Sequence, residues 1–233
     1  MKILALDTAL NACSVAVMDG EKILASCHEA RARGHAESLL PMMRQRMDES
    51  ELTFEDLDAI AVSVGPGTFT GLRIGLAAAR GIALAAGLPC IGITTLEALA
   101  ASVPPDQAEG KSIMVAIDAR RQEIYGQSFV AAPNLEPLQC AKAIPVQEAA
   151  SMLPDTPFVL LGSGAALLKD AGILEKSDAQ ILDLKPDPDA KIIGKLALDR
   201  KLPAKNTPPP DPVYLRAPDA KLPGGKSPEL KNS

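Results

Sequence analysis

Aromatic side chains are nearly missing from this chain. Of its 233 residues, 4 are Phe, 2 are Tyr and none is Trp, although 47% are hydrophobic. Any core it builds is aliphatic and rich in alanine. The 4 cysteines, Cys13, Cys27, Cys90 and Cys140, stand far apart with no Cys-x-x-Cys pair. That argues against a metal knuckle and for small core residues of a reducing compartment. The 2 histidines, His28 and His35, have no cluster of acidic or sulfur ligands between them, so no divalent metal site is expected. A Gly-x-Ser-x-Gly nucleophile elbow is absent. An excess of positive charge is absent too: the net charge is −5 and the pI about 5.2. A protein whose main task is gripping nucleic acid carries basic patches. Service in a complex that binds RNA through another subunit stays open. The N-terminal apolar run is cut by Asp7 and Asn11, too short and polar for a signal peptide or a membrane span. A cytoplasmic soluble protein with no membrane association is expected.

The most distinctive stretch is residues 58–87, DAIAVSVGPGTFTGLRIGLAAARGIALAAG. Residues 60–64 are apolar and β-branched, the pattern of a buried strand. Gly65-Pro66-Gly67 forces a turn, and Thr68 or Thr70 can cap a helix starting there. Residues 72–86 are helical in composition and apolar almost all round, broken only by Arg73 and Arg80, which share a face. A helix without a polar side is usually covered on both sides. Gly75 and Gly81 lie inside it, where glycine costs about 1 kcal/mol relative to alanine. Gly71, Gly75, Ala79, Ile82 and Ala86 form a stripe almost without side chains. Such a stripe fits two arrangements: a core helix packed tightly on its own sheet, or a helix shared with a partner subunit. The turn before the helix is a weak phosphate-binding signal. Gly65-x-Gly67-x-x-x-Gly71 misses the dinucleotide spacing, and no Lys-Ser or Lys-Thr comes after it.

Upstream, residues 3–6, 13–18 and 22–27 read as three strands, with Asp7-Thr8 closing the first and Asp19-Gly20 a hairpin turn. They open an antiparallel meander. Residues 37–47 form a helix with Leu39, Leu40, Met42, Met43 and Met47 apolar, suited either to the core or to an adaptable contact surface. Thr53 to Asp56 resembles a capping box. Residues 90–93 are a strand and 96–102 a short helix. After the Val103-Pro104-Pro105 boundary the opening recurs in outline. A strand over 113–117 ends in Asp118-Ala119, and a paired strand covers 124–131. This weak repeat suggests a duplicated fold. Next come a helix over 146–153, a strand over 158–161, a Gly162-Ser163-Gly164 turn, and helices over 165–171 and 189–199. Three parts are expected: residues 1–102, residues 103–202 and a Pro-rich tail from 203 to 233. Of that tail only Val213-Tyr214-Leu215-Arg216 is apolar enough to dock, and the rest should be extended or disordered. The part beyond Arg216 should be dispensable for folding. Asp7 and Asp118 are the best candidates for catalytic carboxylates, although strand-end aspartates also serve simply to bond turn N–H groups.

Several strings taken together resemble the TsaB family: Leu6-Asp7-Thr8, His35-Ala36-Glu37-Ser38-Leu39-Leu40-Pro41, residues 62–75, and Asp118-Ala119-Arg120-Arg121-Gln122-Glu123-Ile124-Tyr125. Pro212-Val213-Tyr214-Leu215-Arg216 is similar to the family's C-terminus. The likeness is good over residues 1–130 and loose beyond. It implies an α/β fold of two duplicated actin-like domains, of the kind shared with ribonuclease H. It also implies a non-catalytic scaffold role in making threonylcarbamoyladenosine at adenosine 37 of tRNAs that read codons beginning with A. The implied partners are TsaD, the catalytic sibling with a His-x-x-x-His motif, and the ATPase TsaE. TsaB would form a homodimer when alone and meet tRNA only through the complex. No cofactor would be bound tightly; ATP and a divalent metal would enter through the partners. Carried onto this chain, the family's interface falls on Leu39, Leu40, Met43, Met47, Leu72, Gly75, Ala79, Ile82 and Ala86. Asp7, Thr8, Gly65, Gly67, Thr68 and Asp118 are the positions where a nucleotide would sit. The competing expectation is an enzyme in its own right, an ATP-dependent phosphotransferase or hydrolase using Asp7 and Asp118.

Overall fold

The computed structural model describes residues 1–131, 135–204 and 207–216. The expected meander is there. Strands β1 (Lys2–Asp7), β2 (Ala12–Asp19) and β3 (Lys22–Ala30) pair antiparallel in sequence order. Helix α1 (His35–Ser50) comes next, then a 3-10 turn over Phe54–Asp56. The N–H and hydroxyl of Thr53 both donate to the Asp56 carboxylate at 2.8 Å, which holds the Asp56 carboxyl below its usual range. Strand β4 (Ala59–Gly65), helix α2 (Phe69–Ala86) and strand β5 (Cys90–Thr94) complete the first lobe's sheet. β4 and β5 run parallel to β1, giving the order β3-β2-β1-β4-β5.

Helices α3 (Thr95–Ala100) and α4 (Pro105–Ala108) lead to the second lobe. It holds β6 (Ser112–Asp118), β7 (Glu123–Val130), β8 (Glu136–Pro137), β9 (Lys142–Pro145), a 3-10 helix over Val146–Met152, β10 (Phe158–Leu161), α5 (Ala165–Asp170) and β11 (Ala179–Ile181). Its order is β11-β10-β6-β7-β8, with β9 also on β7. Antiparallel β7 and β9 stand where β2 and β3 do, and parallel β10 and β11 where β4 and β5 do. The duplication read from two strand-end aspartates therefore extends to the whole sheet.

Each face of the first sheet has its own cover. On one side Leu4, Leu6, Val15, Val17, Ile60 and Val62 meet Leu39, Met43 and Met47 of α1 and Leu76, Ala79 and Ala83 of α2. On the other, Ile3, Ala5, Ala16, Met18, Ile91 and Ile93 meet Ala190, Ile193 and Ala197 of helix α6 (Ala190–Leu198). Asp189 caps α6 by accepting from the Lys191 N–H at 3.0 Å. This corrects the expected division at residue 103. Helix α6, placed with the second part by chain order, belongs by packing to the first lobe, because the back of an otherwise bare apolar sheet needs it. The proline-rich segment docks through the Val213-Tyr214-Leu215-Arg216 stretch read as apolar enough to do so, and the contact begins three residues earlier, at Pro210. Residues 210–216 lie against both lobes, Val213 on the first core and Tyr214 and Leu215 on the second. The dispensability expected beyond Arg216 concerns residues outside those described. Helix α2 is long and apolar enough to cross a membrane, but Gly71, Leu72, Gly75, Leu76, Ala79 and Ala83 are buried inside the fold.

Candidate partner surface and cleft between the lobes

The two lobes enclose a cavity of about 560 Å³. The first lobe contributes Gly67, Thr68 and Phe69 at the start of α2, the second Asp118, Arg120 and Ser163, and Tyr214 closes over them. The Asp118 N–H donates to the Ser163 hydroxyl at 3.0 Å, and its carboxylate accepts from the Arg120 N–H at 2.7 Å. The corner between β6 and β7 is unusual. Arg120, Arg121 and Gln122 have φ of 65°, 56° and 60°, a left-handed run that costs L-residues roughly 1–2 kcal/mol apiece. It is held by the Glu123 N–H to Arg120 carbonyl bond at 3.1 Å. The Arg216 guanidinium adds bonds to the Ala119 carbonyl at 3.1 Å and the Glu123 carboxylate at 3.0 Å.

The six positions expected to meet a nucleotide are divided by this geometry. Gly67, Thr68 and Asp118 line the cavity, although the Thr68 hydroxyl is occupied in capping α2, accepting from the Gly71 N–H at 3.1 Å. Asp7, Thr8 and Gly65 do not line it. Asp7 and Thr8 are fully buried; the Thr8 hydroxyl donates to the Gly71 carbonyl at 2.7 Å, and Gly65 lies under the Val213 carbonyl. One Asp7 oxygen accepts from the Ala9 N–H at 3.2 Å and the other has no partner. Burial pushes the Asp7 carboxyl up to about 7; the nearby Ser63 side chain and the Ala9 N–H oppose this, and the charges of Asp187 and Asp189 add to it. The strand-end pair Asp7 and Asp118 therefore does not converge on one reacting centre: one is sealed in the core, the other faces the cavity. Phe69, Arg120, Ser163, Asp187 and Tyr214 line the cavity without having been singled out for it. The sequence signal for them is that Phe69, Arg120 and Tyr214 fall within distinctive strings and Ser163 within a Gly-Ser-Gly turn; Asp187 has none. Among the described residues no group of three His, Cys, Asp or Glu side chains is placed to hold a metal ion. Burial also pushes the Cys13 and Cys90 thiols up to about 11, so neither is a ready nucleophile.

The expected partner surface is likewise redrawn. Leu39, Met43, Met47, Leu72, Gly75 and Ala79 are buried in the single chain, and Ile82 and Ala86 are half-buried. The small-residue stripe faces inward. A Cβ on Gly75 would lie 2.6 Å from the Thr8 hydroxyl, so the glycine lets α2 sit down on the end of β1. What α2 leaves in the open is the opposite face: Phe69, Thr70, Arg73, Ala77, Gly81, Leu84 and Ala85. Leu84 is 85% exposed and Phe69 47%, and a Cβ on Gly81 would meet nothing within 4 Å. Leu40 on α1, 57% exposed, is the one expected α1 interface residue that points outward.

Two lobes of the same strand order facing each other across a cleft define a duplicated actin-like α/β protein. A family model described as TsaD, tRNA N6-adenosine threonylcarbamoyltransferase, matches residues 25–171. The TsaB protein of Escherichia coli, a tRNA threonylcarbamoyladenosine biosynthesis protein, is 40% identical over 55% of each chain. An uncharacterized protein of Mycobacterium tuberculosis is 31% identical over 94% of this chain and 93% of its own. A crystal structure from Pseudomonas aeruginosa, described as similar to the peptidase YeaZ, superimposes with a TM-score of 0.77 at 29% identity, covering 92% of this chain and 99% of that one. The chain belongs to the family of threonylcarbamoyladenosine proteins that this model describes, on its TsaB side. It spans about half the length of the curated TsaB relatives it matches.

Proposed function

We propose that this chain is a non-catalytic scaffold subunit of the assembly that places a threonylcarbamoyl group on adenosine 37 of tRNAs reading codons that begin with A. The observation that carries this is the outward face of α2, where Ala77, Gly81, Leu84 and Ala85 are exposed, together with the exposed Leu40 of α1. An apolar face of this kind on a packed core helix marks a partner surface. The threonylcarbamoyladenosine biosynthesis named for its relatives gives that partner a class. On this reading the partner is the TsaD-type sibling, TsaE joins the pair, and a homodimer forms through the same face when the sibling is absent. ATP, a divalent metal and tRNA then enter through the partners, and the work is done in the cytoplasm. The enclosure of Asp7 supports the same reading over the phosphotransferase or hydrolase, because it removes one of the two carboxylates that such an enzyme would use.

The test is co-purification of the full chain with TsaD and TsaE, and then a tRNA modification assay omitting each protein in turn. Modification should require the chain, while the chain alone should show no ATP or peptide hydrolysis above a buffer blank. Robust turnover by the isolated chain, lost on Asp118→Ala, would establish the enzyme instead.

A further inference from the structure

The arginine face of α2 has an occupant, and it is the chain's own C-terminal segment. The Arg80 guanidinium donates to the Pro210 carbonyl at 2.5 Å and to the Asp211 carboxylate at 2.7 Å. Two turns earlier on the same face, Arg73 lies 3.6 Å from the Phe69 ring centroid and donates to the Tyr214 hydroxyl at 3.4 Å. The Phe69 and Tyr214 rings stand 5.6 Å apart. Between these anchors the Val213 N–H donates to the Val64 carbonyl at 2.7 Å, a single strand-like bond at the end of β4.

The floor of this groove is made by missing side chains. A Cβ on Gly65 would lie 2.7 Å from the Val213 carbonyl, and one on Gly92 2.8 Å from the Pro210 side chain. The backbone comes this close because those two positions carry nothing. The ligand suits the groove as well. Pro208-Pro209-Pro210-Asp211-Pro212 is pre-set in an extended form, so docking it costs little conformational entropy. At Tyr214, whose hydroxyl still meets Arg73 of α2, the segment crosses from the first lobe to the second. Tyr214 and Leu215 pack on the second core, and the Arg216 guanidinium ends on the Ala119 carbonyl and the Glu123 carboxylate, at the left-handed corner.

We propose that residues 210–216 act as a peptide latch, read by a dedicated groove on the first lobe and anchored on the second, which holds the two lobes at one separation across the cleft. The Asp211 pair is exposed and adds little by itself. The strength comes from the chain of contacts, each keeping the next in register. Breaking one end should therefore free the other, although the two ends grip different lobes. This separates a latch from a tail that merely adheres to the surface.

The experiment is amide hydrogen exchange on the full chain, comparing wild type with Arg80→Ala and Arg216→Ala. In wild type the Val213 amide should be protected. Arg80→Ala should speed exchange at Val213 by about tenfold or more, the equivalent of roughly 1.4 kcal/mol. It should also speed exchange at Ala119 and Glu123, whose N–H groups bond within the distant corner at 3.0 and 3.1 Å. Arg216→Ala should reproduce the Val213 effect from the other end. Arg80→Lys, which keeps the positive charge but loses the planar guanidinium, should fall between. Unchanged exchange in β1 and β2 confirms that the variants are folded. A Val213 amide that exchanges in wild type like a free peptide overturns the latch. So does an Arg80→Ala variant that leaves the Ala119 and Glu123 amides as slow as before.

Discussion

Asp7 shows how far a single residue departs from what its position promises. A strand-end aspartate repeated at residue 118 looks like half of a catalytic pair. Its neighbours decide otherwise, with helix α6 and the Asp187–Asp189 stretch closing over it. The same burial sets the sign of a pH dependence. It raises the carboxyl to about 7 in the folded state from 3.8, so the folded protein binds a proton more tightly than the unfolded chain. The contribution is fully favourable below pH 3.8 and is lost as pH rises through 7, amounting to roughly 4 kcal/mol. Asp7→Asn keeps an acceptor for the Ala9 N–H and cannot ionise. The variant should be the more stable protein at pH 8 and should lack the decline between pH 4 and 7. Urea midpoints at pH 5 and 8 measure this, and parallel declines in both proteins would mean that Asp7 is not the group responsible. Residue types and strand ends showed where such a carboxylate would lie, but not which carboxylate would be covered. The cover comes from residues almost two hundred positions away, as in the bond from the Asn11 N–H to Asp187.

Helix α2 makes the same point for a whole element. Its existence, its capping threonine and the strand before it are legible from periodicity and turn chemistry, and the structure moves its start only to Phe69. Its orientation is not legible, because a helix apolar on nearly every face has no pattern from which to choose. Small residues were the misleading cue: the stripe through Gly75 and Ala79 serves close approach to β1, not to a partner. The short elements that sequence missed, β8, β9, β11 and α4, are brief and proline-bearing or polar, too short for any period to register. Two contrasts test the orientation. Gly75→Ala should destabilise by about 1–3 kcal/mol despite better helix propensity, because its Cβ collides with Thr8. Gly81→Ala meets open space and should stabilise by about 0.5–1 kcal/mol. Equal effects in thermal melts would refute the assignment of faces. For the partner surface, Leu84→Glu should leave the fold intact while abolishing self-association and binding to a TsaD-type partner in light scattering. Ala79→Glu, fully buried, should unfold the chain by placing an unpaired charge in the core. A folded, monomeric Ala79→Glu variant would return the interface to the inner stripe.

At the scale of the whole molecule, the chain order of the lobes and their packing order disagree. Sequence composition marks a boundary near Val103-Pro104-Pro105, and the second sheet does begin soon after it. Yet the first lobe is finished only when the chain returns, more than eighty residues later, as α6. Gly194 lets that helix press directly on Met18, and the Ala190 N–H bonds the Ser14 hydroxyl at 2.9 Å. Sequence reading found the helix but had no means to see which sheet it covers, since both lobes offer a bare apolar face. The consequence concerns which parts can fold alone. Without α6 the side chains of Ile3, Met18, Ile91 and Ile93, each at most 5% exposed in the whole chain, would face water. Exposing an aliphatic side chain of this size costs about 1.5–3 kcal/mol, and four of them approach or exceed the roughly 5–15 kcal/mol by which a domain is stable. A fragment of residues 1–102 should therefore fail to give a cooperative melt by circular dichroism. Joining residues 183–204 to it through a flexible linker should restore one. The same linker joined instead to residues 158–171, which carry the second lobe's α5, should not. A fragment of residues 1–102 that melts cooperatively by itself would show that the returning helix decorates the first lobe without completing it.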